Sequence, residues 1–368
     1  MRFTRFAASL LAITSLLCSC GVSAERQSQN RQQPSNTAQS KDAQSAESAP
    51  ASQSRAPIDP NKFAIIIAGA GGEPAYTKKF TAQANDLYSA LTNRLGFDEK
   101  NVFLLMEHEA GGPENGAREK VARATAEETR KAFESVRSAA TAESFLLVVL
   151  IGHGSFDTQQ AKFNLVGPDL TANDYAKLVS AIPARQVLFI NCASSSGEFV
   201  KPVSGPRRIV ITATRSGNEQ NATIFAEHFI AALSDNAADA DKNGRLSVME
   251  AFNYATRLTA DWYKQKDRLA TEHALIDDNG DGVGHEEAKE GDGAIAKTTY
   301  LDSKTAEQAG ADAALARLLE ERQRLEQEIE KLKARKDQMK QEEYEAQLEQ
   351  LLVDLARVNQ DIKSRQKR

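Results

Sequence analysis

FLLVVLIGHG, residues 145–154, decides how this chain folds. Its first seven residues are all apolar and rich in Leu and Val. A strand with no polar face is covered on both sides, as in a parallel sheet. FAIIIAGAGG (63–72), QVLFINC (186–192) and RIVITATRSG (208–217) have the same character, each ending in small or polar residues. Between these runs lie stretches of helical periodicity: KKFTAQANDLYSALTNRLG (78–96), TAEETRKAFESVRSAA (125–140) and TANDYAKLVSAI (171–182). The alternation predicts an α/β domain with helices on both faces of a mostly parallel sheet, and sites at the carboxyl ends of its strands. His153 and Cys192 both fall at such ends.

The start of the chain, MRFTRFAASLLAITSLLCSCG, carries Arg2 and Arg5 and then an apolar run over residues 6–17. That run is too short to span a bilayer and fits a secretory signal. Leu17-Cys18-Ser19-Cys20 resembles the bacterial lipobox, so residues 1–20 are expected to be a lipoprotein-type signal peptide, with Cys20 acylated and the protein anchored to a membrane of the cell envelope or periplasm. Cleavage after the small residues 22–24, giving a soluble secreted form, is the alternative. Residues 21–60, rich in Gln, Ser, Ala and Asn, bury too little apolar surface to offset their chain entropy and read as a disordered tether. Cys192, the only cysteine beyond residue 20, is then an unpaired thiol in an oxidising compartment.

Residues 61–300 form the expected globular domain, and residues 305–368 change character. Leu318, Leu325, Leu332 and Met339 recur every seven residues, with Leu315 and Ile329 on the same face. A second register runs through Leu348, Leu355 and Ile362, with Tyr344, Leu351 and Val358. The registers break near residues 337–342, which predicts an antiparallel coiled-coil hairpin that packs on its own domain, self-associates or binds a protein partner. Formal charge is −5, and the basic residues of this tail are matched by Glu at helical spacing, so the pattern excludes a nucleic-acid surface. GAGG at 69–72 completes neither a dinucleotide nor a P-loop motif.

A His-Gly after one buried parallel strand and a Cys after the next resemble the caspase-fold cysteine peptidases, and residues 62–263 resemble their legumain-like branch. The segments that carry the resemblance are FAIIIAGAGG, NVFLLMEH, LIGHGS, VLFINC and IVITATRSGNEQN. It implies a caspase-like three-layer sandwich and peptide-bond hydrolysis by a His-Cys dyad. His153 would be the thiolate partner, Cys192 the nucleophile, and the N–H of Gly154 an oxyanion donor. The family pattern Cys-Glu-Ser-Gly is not kept. Aligned on Gly197, the nucleophile position holds Ser194; aligned on the strand, Ala193 takes it and Cys192 comes one residue early. Asn218, Glu219 and Asn221 lie on the loop that would wall a specificity pocket.

ADADKNGRLSVMEAF offers a different chemistry. Asp239, Asp241, Asn243, Gly244, Ser247 and Glu250 occupy positions 1, 3, 5, 6, 9 and 12 of an EF-hand loop, with the carbonyl of Arg245 at position 7. Oxygen ligands at these spacings, a Gly for the sharp turn and a bidentate carboxylate at the end predict structural calcium. LIDDNGDGVGHEEA repeats the first half through Asp277, Asn279, Asp281 and Gly282, but holds Gly284 at position 8 and Ala288 at position 12, leaving Glu286 and Glu287 as substitutes. Two readings of function stay open: an envelope-located, legumain-like cysteine peptidase acting on a peptide or protein substrate, or a catalytically inactive, calcium-binding interaction module working through the hairpin.

Overall fold

The computed structural model describes residues 56–108, 120–288, 291–302, 313–336 and 339–366. Residues 1–55, where a signal segment and most of a tether are expected, lie outside them. In chain order the first half comprises β1 (Lys62–Ala68), α1 (Pro74–Arg94), β2 (Val102–Met106), β3 (Val121–Arg123), α2 (Ala126–Ala139), β4 (Phe145–Ile151), β5 (Gly154–Phe156), β6 (Ala161–Phe163), β7 (Leu170–Thr171) and α3 (Ala172–Ser180). The second half comprises β8 (Gln186–Asn191), α4 (Val200–Val203), β9 (Arg208–Thr212), α5 (Phe225–Ala232), α6 (Val248–Gln265), β10 (Leu275–Asp277), α7 (Ala294–Thr298), α8 (Ala313–Ala334) and α9 (Gln341–Gln366).

Seven strands form one sheet in the order β10-β9-β8-β4-β1-β2-β3. Every neighbouring pair is parallel except β10 and β9, which are antiparallel. The continuous apolar runs are explained by what covers them. Alternate residues of the central strands face opposite layers: Ala64, Ile66, Leu147, Val149, Leu188 and Ile190 pack with α1, α5 and α6, whereas Ile65, Ile67, Leu146, Val148, Val187 and Phe189 pack with α2 and α3. The expected fold class is therefore what the chain adopts, three layers around a mostly parallel sheet followed by a C-terminal helical hairpin. The segments 63–72, 102–108, 145–154, 186–192 and 208–217 supply β1, β2, β4, β8 and β9 of this single sheet, and the histidine and cysteine strands are neighbours.

Local signals fix the helix starts. Thr125 caps α2 by accepting from Glu128 N, and Thr171 and Ser247 form reciprocal capping boxes with Asp174 and Glu250 at the heads of α3 and α6. Each such cap is worth about 1 kcal/mol. A second, small antiparallel sheet of β5, β6 and β7 follows the histidine strand. In the hairpin, Leu325, Ile329 and Leu332 of α8 are buried, as are Tyr344 and Ile362 of α9, and the turn between the helices falls where the two registers break. Among the described residues, no helix is long and apolar enough to cross a membrane.

One cation lies deep at the amino end of the sheet. Lys62 is 5% exposed, and its Nζ donates to the carbonyls of Leu95 and Leu301 at 3.0 Å each, tying β1 to the chain beyond α7. Burial draws its pKa from 10.5 down to about 8, against the nearby charges of Asp302 and Asp59. Between these two values the unfolded chain holds a proton that the folded chain has shed, so stability rises with pH across the window and levels off above it. The gap allows at most about 3 kcal/mol. Urea unfolding of wild type and Lys62→Met across this range is expected to show the wild type gaining on the variant as pH rises; a difference independent of pH would contradict a depressed lysine.

Candidate functional site

The register of β4 against β8 sets the relation between His153 and Cys192. Leu150 pairs with Asn191, and Cys192 N donates to Leu150 O at 2.8 Å, so Cys192 lies level with Ile151. His153 is two residues further along, roughly 6.6 Å at the rise of a parallel strand. Both residues are on the α1 side of the sheet. The His153 ring stands edge-on to Tyr76 and Phe80 of α1, with centroids 4.7 and 5.1 Å apart. The Cys192 side chain belongs to the hydrophobic layer beneath, 2% exposed, and Ala193 turns to the opposite layer.

This environment works against a thiolate. Burial pushes the Cys192 thiol far above the usual range, and the Glu272 charge pushes it further the same way. Glu272 is itself 4% exposed, accepting from Ile224 N, Phe225 N and the Tyr263 hydroxyl. Burial lowers the His153 pKa, partly opposed by its hydrogen bond to the Gly71 backbone and by Glu73. Both shifts favour neutral partners, whereas a reactive cysteine is the thiolate stabilised by a nearby cation. The thiol remains free in the sense that it forms no disulfide.

Ser194, not Cys192, reaches the level of the histidine loop. Its Oγ accepts from Gly154 N and donates to Gly154 O, both at 3.1 Å. The donor expected to serve as an oxyanion hole is thus taken by an internal hydroxyl. Gly154 must be glycine here, because a Cβ on it would fall 2.4 Å from the Ser194 carbonyl oxygen. The next two serines are consumed in the same way. Ser195 Oγ donates to Gly217 O at 3.0 Å, and Ser196 Oγ is 3.1 Å from Thr214 Oγ1 while accepting from Thr214 N. All three serines are at most 2% exposed. The serine run joins the loop after β8 to the histidine loop and to the end of β9.

The loop proposed from sequence as a pocket wall is similarly self-contained. The Glu219 carboxylate accepts from Arg215 N at 2.9 Å and His273 N at 3.2 Å, and lies 2.5 Å from His273 Nδ1. The Glu219 carbonyl accepts from Ser195 N at 2.8 Å. Its side chain thus ties its own loop to His273, and its backbone carbonyl ties that loop to the serine run.

At residues 239–250 three carboxylates converge instead. Oxygens of Asp239, Asp241 and Glu250 lie within 4.8 Å of one another. Asp239 accepts from Asn243 N and Gly244 N, which curls the loop around it, and Gly244 makes the turn at φ +80°. Glu250 Oε1 accepts from Ala240 N and Asp241 N, and its Oε2 accepts from Ser247. Burial raises the Asp241 pKa, and the charges of Glu250 and Asp239 raise it further. Crowded oxygens of like charge on a curled loop are a donor set that fits a hard divalent cation.

Residues 277–282 and Asp292 share the backbone hydrogen bonding of this loop, but among the described residues their carboxylates do not converge as those of Asp239, Asp241 and Glu250 do. Asp277 accepts from Gly280 N and Gly282 N, and Asn279 and Asp281 accept from Asp281 N and Val283 N. Glu286 does not close the loop but faces Arg215 Nη1 at 3.6 Å. Asp292 closes it: its Oδ1 accepts from Asp278 N and Asn279 N, the second and third residues of the loop, as Glu250 does for Ala240 and Asp241. Asp292 Oδ2 is 2.6 Å from His285 Nδ1. Sequence spacing missed Asp292 because it lies four residues beyond the expected closing position; the Asp-Gly pair at 292–293 ahead of a short apolar stretch was the only signal.

No family model matches the chain, and no curated protein matches its sequence. Among solved structures it is similar to the Geobacter sulfurreducens protein GSU0716, at TM-score 0.40 and 14% identity, over 59% of this chain and 93% of that one. It is also similar to the Drosophila initiator caspase Dronc, at TM-score 0.39 and 10% identity, over 62% of this chain and 84% of that one. Likenesses of this degree assign no family, and the fold class stands on the strand order and layers themselves.

The junction at Gly154 makes a prediction of its own. Ser194→Ala removes the partner of Gly154 N–H and should cost about 1 kcal/mol. Gly154→Ala should cost more, about 2 kcal/mol or above, because backbone must move. As both break one contact, the double variant is expected to fall short of the sum in urea unfolding; strict additivity would show that the two residues do not depend on each other.

Proposed function

We propose that this chain is a calcium-binding interaction module built on a caspase-like α/β domain whose histidine and cysteine are catalytically silent. The observation that carries the reading is the convergence of Asp239, Asp241 and Glu250 on one curled loop, while the Gly154 N–H and the Ser194, Ser195 and Ser196 hydroxyls near His153 are bonded internally. Calcium would be held by Asp239, Asp241, Asn243, the Arg245 carbonyl and Glu250, with Ser247 at the ninth position. A second, weaker site would use Asp277, Asn279 and Asp281, with Asp292 in place of the closing glutamate. The ion's role is structural, holding the segments around α6 and β10 in one arrangement.

The caspase-like reading draws support from the resemblance segments, which are five strands of one sheet with the His and Cys strands adjacent. That adjacency, with both side chains on the α1 face, also favours a second reading, a legumain-like cysteine peptidase acting through His153, Gly154 and Cys192 on peptide substrates. Either form would work in a bacterial envelope, anchored through Cys20, a reading that the lipobox-like residues 17–20 support.

Calorimetric titration of the purified domain with calcium tests the first reading. The expected dissociation constant is on the order of 10⁻⁴ to 10⁻³ M, typical of extracellular modules, and saturating calcium should raise the melting temperature. Glu250→Gln should weaken binding at least about tenfold, since it removes the bidentate ligand. No heat and no thermal shift in the wild type would contradict the proposal.

A further inference from the structure

The acidic loop at 239–250 lies against the C-terminal hairpin, and the contact is built on charge. Arg322 of α8 is 3% exposed. Its Nη1 donates to the carbonyl of Asn243, the fifth residue of the loop, at 3.4 Å. Its Nε makes no hydrogen bond, and the Glu326 carboxylate one turn on stands 3.8 Å away. A buried guanidinium with its donors so poorly filled is held mainly by the field around it. That field comes from Glu326 on its own helix and from Asp241 and Glu250, which line the same cleft, set against Lys242.

A second route joins the loop to the same helix. Glu326 accepts from the Tyr300 hydroxyl at 2.6 Å. The Arg245 guanidinium, from the seventh residue of the loop, lies over the Tyr300 ring at 3.7 Å and pairs with Asp302 at 3.0 Å. The end of the loop is bonded to this segment, Leu301 N to Leu246 O and Val248 N to Thr299 O, both at 2.8 Å. The hairpin nevertheless does not close over the loop. A cleft of about 700 Å³ remains between them, with Asp241, Glu250 and Arg322 on its polar side and Ile329, Leu355 and Ile362 on its apolar side.

We infer that the hairpin is a latch released by the cation: Arg322 holds α8 on the loop while the loop carboxylates are uncompensated, and a divalent cation among them frees α8 and opens the apolar wall of the cleft. The inference rests on the calcium reading above. Two added positive charges cancel the attraction for Arg322 and set like charges side by side, and the open cleft gives the helix room to move. Coupling of this kind is reciprocal, so whatever factor the cation takes from docking, Arg322 takes from cation affinity.

Hydrogen exchange of the full chain with and without calcium, with calorimetry in parallel, tests it. Calcium should lower the protection of residues 313–334 by about fivefold or more. Arg322→Met should lower it without calcium and tighten calcium binding by about the same factor. Arg322→Lys keeps the charge and should keep the response to calcium. If calcium binds and protection of α8 is unchanged or increased, the latch is wrong and the calcium reading stands. If calcium does not bind at millimolar concentration, both fall.

Discussion

A sheet buried on both faces leaves no freedom in where a side chain points. Once β4 and β8 pair with Leu150 opposite Asn191, alternation sends Cys192 into the layer under α1 and Ala193 into the layer over α2 and α3. The same register carries Ser194 up to the histidine loop, where it meets Gly154. The chemistry at this sheet edge follows from that arithmetic. A thiol two residues too deep is surrounded by apolar groups and one buried carboxylate, and a hydroxyl occupies the place where an oxyanion donor would be open.

Buried polar atoms need partners, and the run of serines shows how the chain meets that demand. Ser194 bonds the loop after β4, and Ser195 and Ser196 bond the loop after β9, so the loops after β4, β8 and β9 form one fixed unit. Exposing Gly154 N–H to a substrate would break satisfied bonds on both sides. The acidic loop at 239–250 is in the opposite condition. Its carboxylates accept backbone N–H groups that shape the loop, yet like charges remain crowded together, and a cation or a neighbouring basic side chain relieves them. The two regions divide the molecule into a part that has closed on itself and a part that still asks for a partner.

The layers and the central strands were legible in sequence because continuous apolar runs have one meaning at this length: β4, β8 and β9 lie within the runs that predicted them, and β1 begins one residue ahead of its run. The helices at 78–96, 125–140 and 171–182 were also legible, with ends shifted by a few residues where Pro74 and the Thr caps set them. The break between heptad registers located the hairpin turn. The small sheet of β5, β6 and β7 was not legible: its strands are two or three residues long and carry no sustained alternation. Local motifs such as 239–250 could be read because every ligand position lies within one loop. The closure of Gly154 by Ser194, the reach of Asp292 and the burial of Arg322 depend on segments brought together only by the fold, and no spacing rule encodes them.

The central claim is that register, not residue type, determines whether Cys192 acts as a nucleophile. Its most direct measurement is the rate of Cys192 alkylation in the folded domain relative to the urea-unfolded chain, followed against pH in wild type and His153→Ala. The account predicts a thiol at least about a hundredfold slower when folded, with no acceleration at neutral pH and no dependence on His153. A thiol that alkylates readily in the folded domain, with an apparent pKa below about 8.5 that rises in His153→Ala, would contradict it.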